Sequence, residues 1–161
     1  MLFNFWRRTT AAPYGDLAFE AEQFLAAGQY EQALAAFAAE LRRPDLSAKI
    51  RAHLFNRSGV AAVRSGDLLR AHHEFLAAVA AYAKFAPALT NLGNVELDGG
   101  RLEAAVEYYQ QALRADEHYA LAHHHLGVAY RRMGRLRESV RALRRAWWLE
   151  VSPLRRQSKR L

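Results

Sequence analysis

Apolar residues along this chain recur at intervals of three and four, the spacing of one helix face, and that pattern itself repeats. Gly66, Gly100 and Gly134 stand 34 residues apart, and Gly28 lies 38 residues before Gly66. Gly59, Gly93 and Gly127 form a second series with the same 34-residue interval. Two residues after each glycine of the first series comes a large apolar residue: Tyr30, Leu68, Leu102 or Leu136. Three further on stands a small residue (Ala33, Ala71, Ala105, Ser139), and four beyond that a bulky one (Phe37, Phe75, Tyr109, Leu143). Such a period marks an array of helical units, each too small to bury both of its faces alone.

Each unit reads as two amphipathic helices joined by a glycine turn. The predicted pairs are 14–27 with 30–42, 48–64 with 67–82, 86–98 with 101–115, and 120–133 with 135–149. In the third unit Leu89, Leu92, Gly93 and Glu96 mark one face of the first helix, and Ala105, Tyr109 and Ala112 mark the facing side of the second. Gly93 and Ala105 are expected to be small because the two helices cross there. Asp98-Gly99-Gly100-Arg101 ends a helix, with glycine accepting the left-handed conformation. Pro44 stops another, and Asp45 or Ser47 caps the next. β-Branched residues never alternate over a strand's length, so the class is all-α.

The 161 residues are 52% apolar, enough for a sizeable core, and include no cysteine, which excludes disulfides and thiolate zinc sites. No apolar run approaches the ~20 residues that cross a bilayer. The start, Met1-Leu-Phe-Asn-Phe-Trp6-Arg-Arg8, lacks the order of a signal peptide, so a cytoplasmic location is expected. The net charge of +7 is unevenly spread: −3 over residues 1–40, +5 over 41–85, −4 over 86–119 and +9 over 120–161.

The fourth unit carries Leu126-Gly127-x-x-Tyr130 and the third carries Leu92-Gly93. With the 34-residue period, these residues resemble the tetratricopeptide family over roughly residues 14–152. The resemblance implies a right-handed α-solenoid of about four hairpins, with repeats at approximately 14–47, 52–85, 86–119 and 120–153. They would lie between an aromatic and basic segment, 1–13, and a basic tail, 154–161. The chain departs from the family pattern in several places. Leu17, Phe55, Leu89 and His123 stand at its tryptophan position, Glu96 replaces an aromatic, and each unit lacks the closing proline.

Candidate chemistry is sparse. His123-His124-His125 and His72-His73 lie on consecutive helical positions about 100° apart, whereas a helical metal pair needs i,i+4 spacing. No metal and no cofactor is therefore expected. No phosphate loop, nucleophile elbow or cysteine nucleophile appears, and the reading is non-catalytic. Carboxylates such as Glu103 and Glu107 are expected on solvent faces.

The resemblance implies a protein-binding scaffold whose first helices line a groove for a partner peptide or helix. The candidate groove residues are His53, Asn56, Arg57 and Arg64 in the second unit. They continue with Thr90, Asn91 and Asn94 in the third, and His124, His125 and Arg131 in the fourth. Asn91 and Asn94 match two asparagine positions with which some family members hold a ligand's backbone. An amide suits that role because it both donates and accepts hydrogen bonds. The lysines of the family's carboxylate clamp are absent.

Arg141, Arg144 and Arg145 share a helix face with Arg137, and the alternative reading is an anionic partner there, nucleic acid or an acidic membrane surface. Trp147 and Trp148 point about 100° apart, so one is expected against the preceding helix and the other at the open end. Either the tail or the segment Leu2-Phe3-Phe5-Trp6 folds over the open end, or a second molecule does, which would be self-assembly into a homo-oligomer through aromatic ends.

Overall fold

The computed structural model describes residues 16–158, with side chains from residue 17 to residue 151. Trp6 and the rest of the 1–13 segment lie outside the described residues, as do residues 159–161. Among the described residues there are helices and turns and no strand.

Four helix hairpins follow one another: α1 (Asp16–Ala26) with α2 (Tyr30–Leu41), α3 (Ala48–Ser65) with α4 (Leu68–Ala81), α5 (Ala86–Asp98) with α6 (Leu102–Ala115), and α7 (Ala120–Arg132) with α8 (Leu136–Ser158). The helices end within two residues of the sequence expectation, except that α8 runs on to Ser158 instead of stopping near residue 149. They form two compact units, divided between Tyr82 and Ala83, each holding two hairpins.

The glycine series explains the turns. Gly28, Gly66, Gly100 and Gly134 all have positive φ, between 74° and 89°, and among the described residues no other residue type does. In each turn the N–H after the glycine reaches back to a helix carbonyl at 2.9 Å: Gln29 to Phe24, Asp67 to Ala62, Arg101 to Glu96 and Arg135 to Tyr130. This 6→1 closure satisfies a carbonyl that the helix end would otherwise leave open. Ser47 caps α3, its Oγ accepting from the Ile50 N–H at 3.3 Å, and Asp67 caps α4 by accepting from the Arg70 N–H at 2.9 Å.

The second glycine series sets how closely each hairpin closes. A Cβ on Gly59 would come within 2.5 Å of the Phe75 ring, one on Gly93 within 2.4 Å of the Tyr109 ring, and one on Gly127 within 2.6 Å of Leu143. Gly93 is thus small because of Tyr109, rather than because it faces Ala105 at a backbone crossing. In every case the bulky partner lies sixteen residues on. A buried side chain of this size contributes about 1.5–3 kcal/mol, and Phe37, Phe75 and Tyr109 are all fully buried. Alanines at 33, 71, 105, 112 and 146 fill the spaces between them and are almost wholly enclosed.

In the first unit α2 packs against α3, and in the second α6 packs against α7. The latter contact joins Leu97, Val106 and Tyr109 to Leu126, Ala129 and Tyr130 in one apolar cluster.

Candidate functional site

The first helices of the hairpins carry the polar residues predicted to meet a partner, and the two units arrange them differently. In the second unit the centre is Tyr109 on α6. Its ring is fully buried, lies against Gly93, and stacks nearly parallel on His125 at 5.9 Å between centroids. Its hydroxyl donates to Oδ1 of Asn94 at 2.8 Å. Burial and the nearby Asp98 carboxylate push the phenol well above its usual value, so it stays a neutral donor.

This bond fixes how Asn94 is presented. Its carbonyl oxygen already accepts from Tyr109, which turns the amide nitrogen, with two N–H groups, toward other partners. Asn94 is half-buried, as is Asn91 one turn earlier on α5. His125 is half-buried and His124 exposed, with their rings edge to face at 5.4 Å. Burial, with the neighbouring His124, lowers the pKa of His125 and favours its neutral ring. Arg131 is exposed at the end of α7, and the adjacent Arg132 donates to the Leu97 carbonyl at 3.0 Å, tying α7 to α5. Thr90 is placed otherwise: it is buried, and its hydroxyl donates to the Ala86 carbonyl at 2.9 Å within α5.

In the first unit the charged group is internal. Arg57 on α3 binds Glu22 on α1 through Nε and Nη2, one to each carboxylate oxygen. The predicted groove arginine therefore already holds a carboxylate of its own chain. His53, one turn earlier, is half-buried, and burial lowers its pKa. Asn56 is buried, so it sits in the packing rather than on an open face. Arg64 is exposed in the last turn of α3.

Sequence reading missed Tyr109 as a polar partner, because a bulky residue at that register looked like packing alone. A signal was present. Val60 and Phe75 occupy the positions of Asn94 and Tyr109 one repeat earlier, and Val128 and Leu143 occupy them one repeat later. Only the third repeat carries polar atoms at both places. One buried carboxylate was missed as well: Glu40 pairs with Arg43 at 2.8 Å. Glu96, expected on the packing face of α5, is buried there and pairs with Arg101. Glu103 and Glu107 are exposed as expected.

On α8, Arg141, Arg144 and Arg145 are exposed. Neither tryptophan is enclosed: Trp147 and Trp148 are each about half exposed and meet edge to face at 5.8 Å. Among the described residues, no three His, Cys, Asp or Glu side chains gather as a metal site would require, and no helix is long and apolar enough to cross a membrane.

Two family models match the chain. One, described as TPR repeat, covers residues 93–134, and the other, tetratricopeptide repeat, covers residues 122–157. Among solved structures, a crystal structure of MamA is similar at 20% identity with a TM-score of 0.71, covering 86% of this chain and 79% of that one. MamA from Desulfovibrio magneticus RS-1, residues 41 to its end, is similar at 24% identity and a TM-score of 0.68, covering 84% and 75%. The first TPR of Spaghetti (RPAP3), bound to the HSP90 peptide SRMEEVD, is similar at 17% identity and a TM-score of 0.64, covering 73% and 90%. These likenesses place the fold among the all-α tetratricopeptide solenoids. No curated protein matched the chain in sequence.

Proposed function

Because this chain is a tetratricopeptide-repeat protein, we propose that it is a non-catalytic scaffold holding a partner peptide or helix against the first helices of its hairpins. The observation that carries this reading is the Asn94–Tyr109 bond. A buried phenol spends its one donor on orienting an asparagine whose amide nitrogen remains as the group to offer. A peptide carbonyl is a suitable acceptor for it, and Asn91 one turn earlier adds a second amide at the spacing of one helix face.

The Spaghetti domain of similar fold binds a peptide with two consecutive glutamates and a terminal aspartate. For the present chain Arg131, exposed on α7, supplies charge for an acidic ligand side chain. The lysines that would clamp a terminal carboxylate are missing, so the recognition proposed here rests on the ligand's backbone.

The test is a peptide-display selection on the whole chain, followed by affinity measurement for the selected peptides. Each neutral hydrogen bond contributes about 0.5–1.5 kcal/mol, so Asn91→Ala/Asn94→Ala should weaken binding about tenfold or more. Helical circular dichroism should stay as in the parent. Unchanged affinity in the double variant would remove the asparagines from the site and overturn the assignment.

A further inference from the structure

The register that Arg57 occupies in the second repeat is held by Asn91 in the third and His125 in the fourth, each 34 residues on. In the first unit that position reaches toward the preceding hairpin, where Arg57 holds the Glu22 carboxylate. In the second unit His125 uses it to lie on the Tyr109 ring, with 5.9 Å between centroids and 20° between planes. Tyr109 therefore seats two groups at once. Its hydroxyl holds Asn94 by the oxygen, and its ring face carries the imidazole of His125. Among the described residues, neither the Asn94 amide nitrogen nor a ring nitrogen of His125 makes a hydrogen bond. An amide donor and an imidazole thus stand on one tyrosine with their polar atoms open.

The surroundings decide which form that imidazole takes. Half burial disfavours the charged ring, and His124, edge to face beside it on α7, disfavours it further. Asp98 on α5 acts the other way, but it is exposed and its influence is the smaller. From α6 the facing phenol of Tyr109 is neutral, and Arg132 on α7 is tied to the Leu97 carbonyl. Helix α8 packs on the Gly127 side of α7 through Leu143. His125 accordingly differs in kind from Arg57. Where the first unit places a cation, the second places a neutral ring with one N–H and one bare nitrogen that accepts.

In an extended chain the N–H and C=O of one residue project to the same side. We infer that Asn94 and His125 together hold one extended residue of the ligand, the Asn94 amide N–H donating to its carbonyl and the bare nitrogen of His125 accepting its N–H. This rests on the peptide-binding reading above and adds a proton switch to it. An imidazolium has no acceptor, and it turns a second N–H against that of the ligand. A ring that must be neutral to bind has its pKa lowered further by the ligand. Affinity is therefore full above the pKa of His125 in the free protein and is lost as pH falls through it, by at most about tenfold per pH unit for one proton.

The test takes peptides selected on the whole chain in mildly alkaline buffer and measures their affinity at falling pH, with circular dichroism at each point. From about pH 8 to about pH 5.5 the parent should lose about tenfold in affinity. His125→Gln has a carbonyl oxygen that accepts and does not titrate, so it should bind within about threefold of the parent at the upper pH and keep that affinity on acidification. His125→Phe keeps a ring on Tyr109 without an acceptor and should bind weakly at every pH. His124→Gln should retain the parent's fall. In the parent itself, NMR of the His125 ring should show it titrating at lower pH with saturating peptide than without, a readout that needs no variant. Level affinity in the parent, or an equal fall in His125→Gln, would overturn the inference, while peptides still weakened by Asn91→Ala/Asn94→Ala would leave the asparagine site standing. Affinity that rises on acidification would mean that an imidazolium meets a ligand carboxylate, and would overturn it too. Peptides indifferent to Asn91→Ala/Asn94→Ala would remove the peptide reading and this inference with it.

Discussion

The two units share a hairpin plan, yet they spend their polar groups in opposite ways. In the first, Arg57 and Glu22 on neighbouring first helices satisfy each other, and Asn56 is buried. In the second, a side chain from α6 rises behind α5 to hold Asn94 by its oxygen, leaving the amide nitrogen to offer. The register is the same in both. Phe75 lies on Gly59 as Tyr109 lies on Gly93, and one hydroxyl plus one amide separates a closed apolar pair from a polar site. Period and packing recur along the array, while chemistry varies on top of them, so binding is to be sought where a repeat breaks the apolar pattern.

The strongest way to disturb this comparison is at the glycine that both units depend on. In Gly93→Ala the new Cβ meets the enclosed Tyr109 ring, and in Gly59→Ala it meets Phe75. Overpacking of this kind costs about 1–3 kcal/mol, and denaturant melts should register it at both sites. Only Gly93→Ala should also weaken peptide binding, because only there does the displaced ring carry Asn94. Gly100→Ala is the control: nothing lies within 4 Å of its Cβ. Its cost of about 1 kcal/mol comes from the left-handed backbone alone.

Smaller and sharper is Tyr109→Phe, which gives the second unit the residue that the first has at Phe75. Loss of a buried hydrogen bond costs about 1 kcal/mol, while ring packing against Gly93 and His125 is kept. The expected result is a modest drop in stability and a larger relative loss of affinity for selected peptides. Equal affinity in the parent and Tyr109→Phe would show that Asn94 needs no orienting partner.

Much of the fold was legible because the repeat is written in residue types with strong backbone reasons. Glycine at 28, 66, 100 and 134 marks turns that few other residues tolerate, and Gly59, Gly93 and Gly127 mark places where a ring or leucine leaves no room. The site was less legible. Asn91 and Asn94 were visible as amides on one face, but the hydroxyl that aims Asn94 sits fifteen residues away on another helix, on a residue whose size alone accounted for its place. Arg57 looked available because its partner, Glu22, is 35 residues distant, and no local spacing links an arginine to a carboxylate across two hairpins. Thr90 was misjudged for a local reason: a helical threonine can satisfy its hydroxyl on the carbonyl four residues back, as it does on Ala86.

In the first unit, Glu22→Gln tests whether the internal pair closes that unit or merely decorates it. Both side chains are about a third exposed, and pairs of that kind contribute about 0–1 kcal/mol. Stability should therefore change little. Peptide binding governed by the second unit should not change at all, and any gain in binding to acidic peptides would show that Arg57 becomes available once its carboxylate partner is gone.

The smallest expected effect also belongs to the first unit, and its sign is set by burial. Glu74 on α4 has its Oε2 enclosed without a hydrogen-bond partner, while Arg70 lies 3.8 Å from Oε1. Burial raises its pKa above the usual carboxylate value, against the opposing influence of Ser58, Arg70 and His73. A carboxyl whose folded pKa is raised binds its proton more tightly in the folded chain. Its contribution to stability is full below the unfolded value and is lost as pH rises through the folded one. Glu74→Gln keeps the shape and removes the titration. The variant should be the more stable at pH near 7, by about 1 kcal/mol or less given the partial exposure, and the advantage should shrink as pH falls through the carboxylate range. Urea melts of both proteins along that range decide it. A variant less stable than the parent near neutrality would mean that the charge of Glu74, held by Arg70, outweighs its burial.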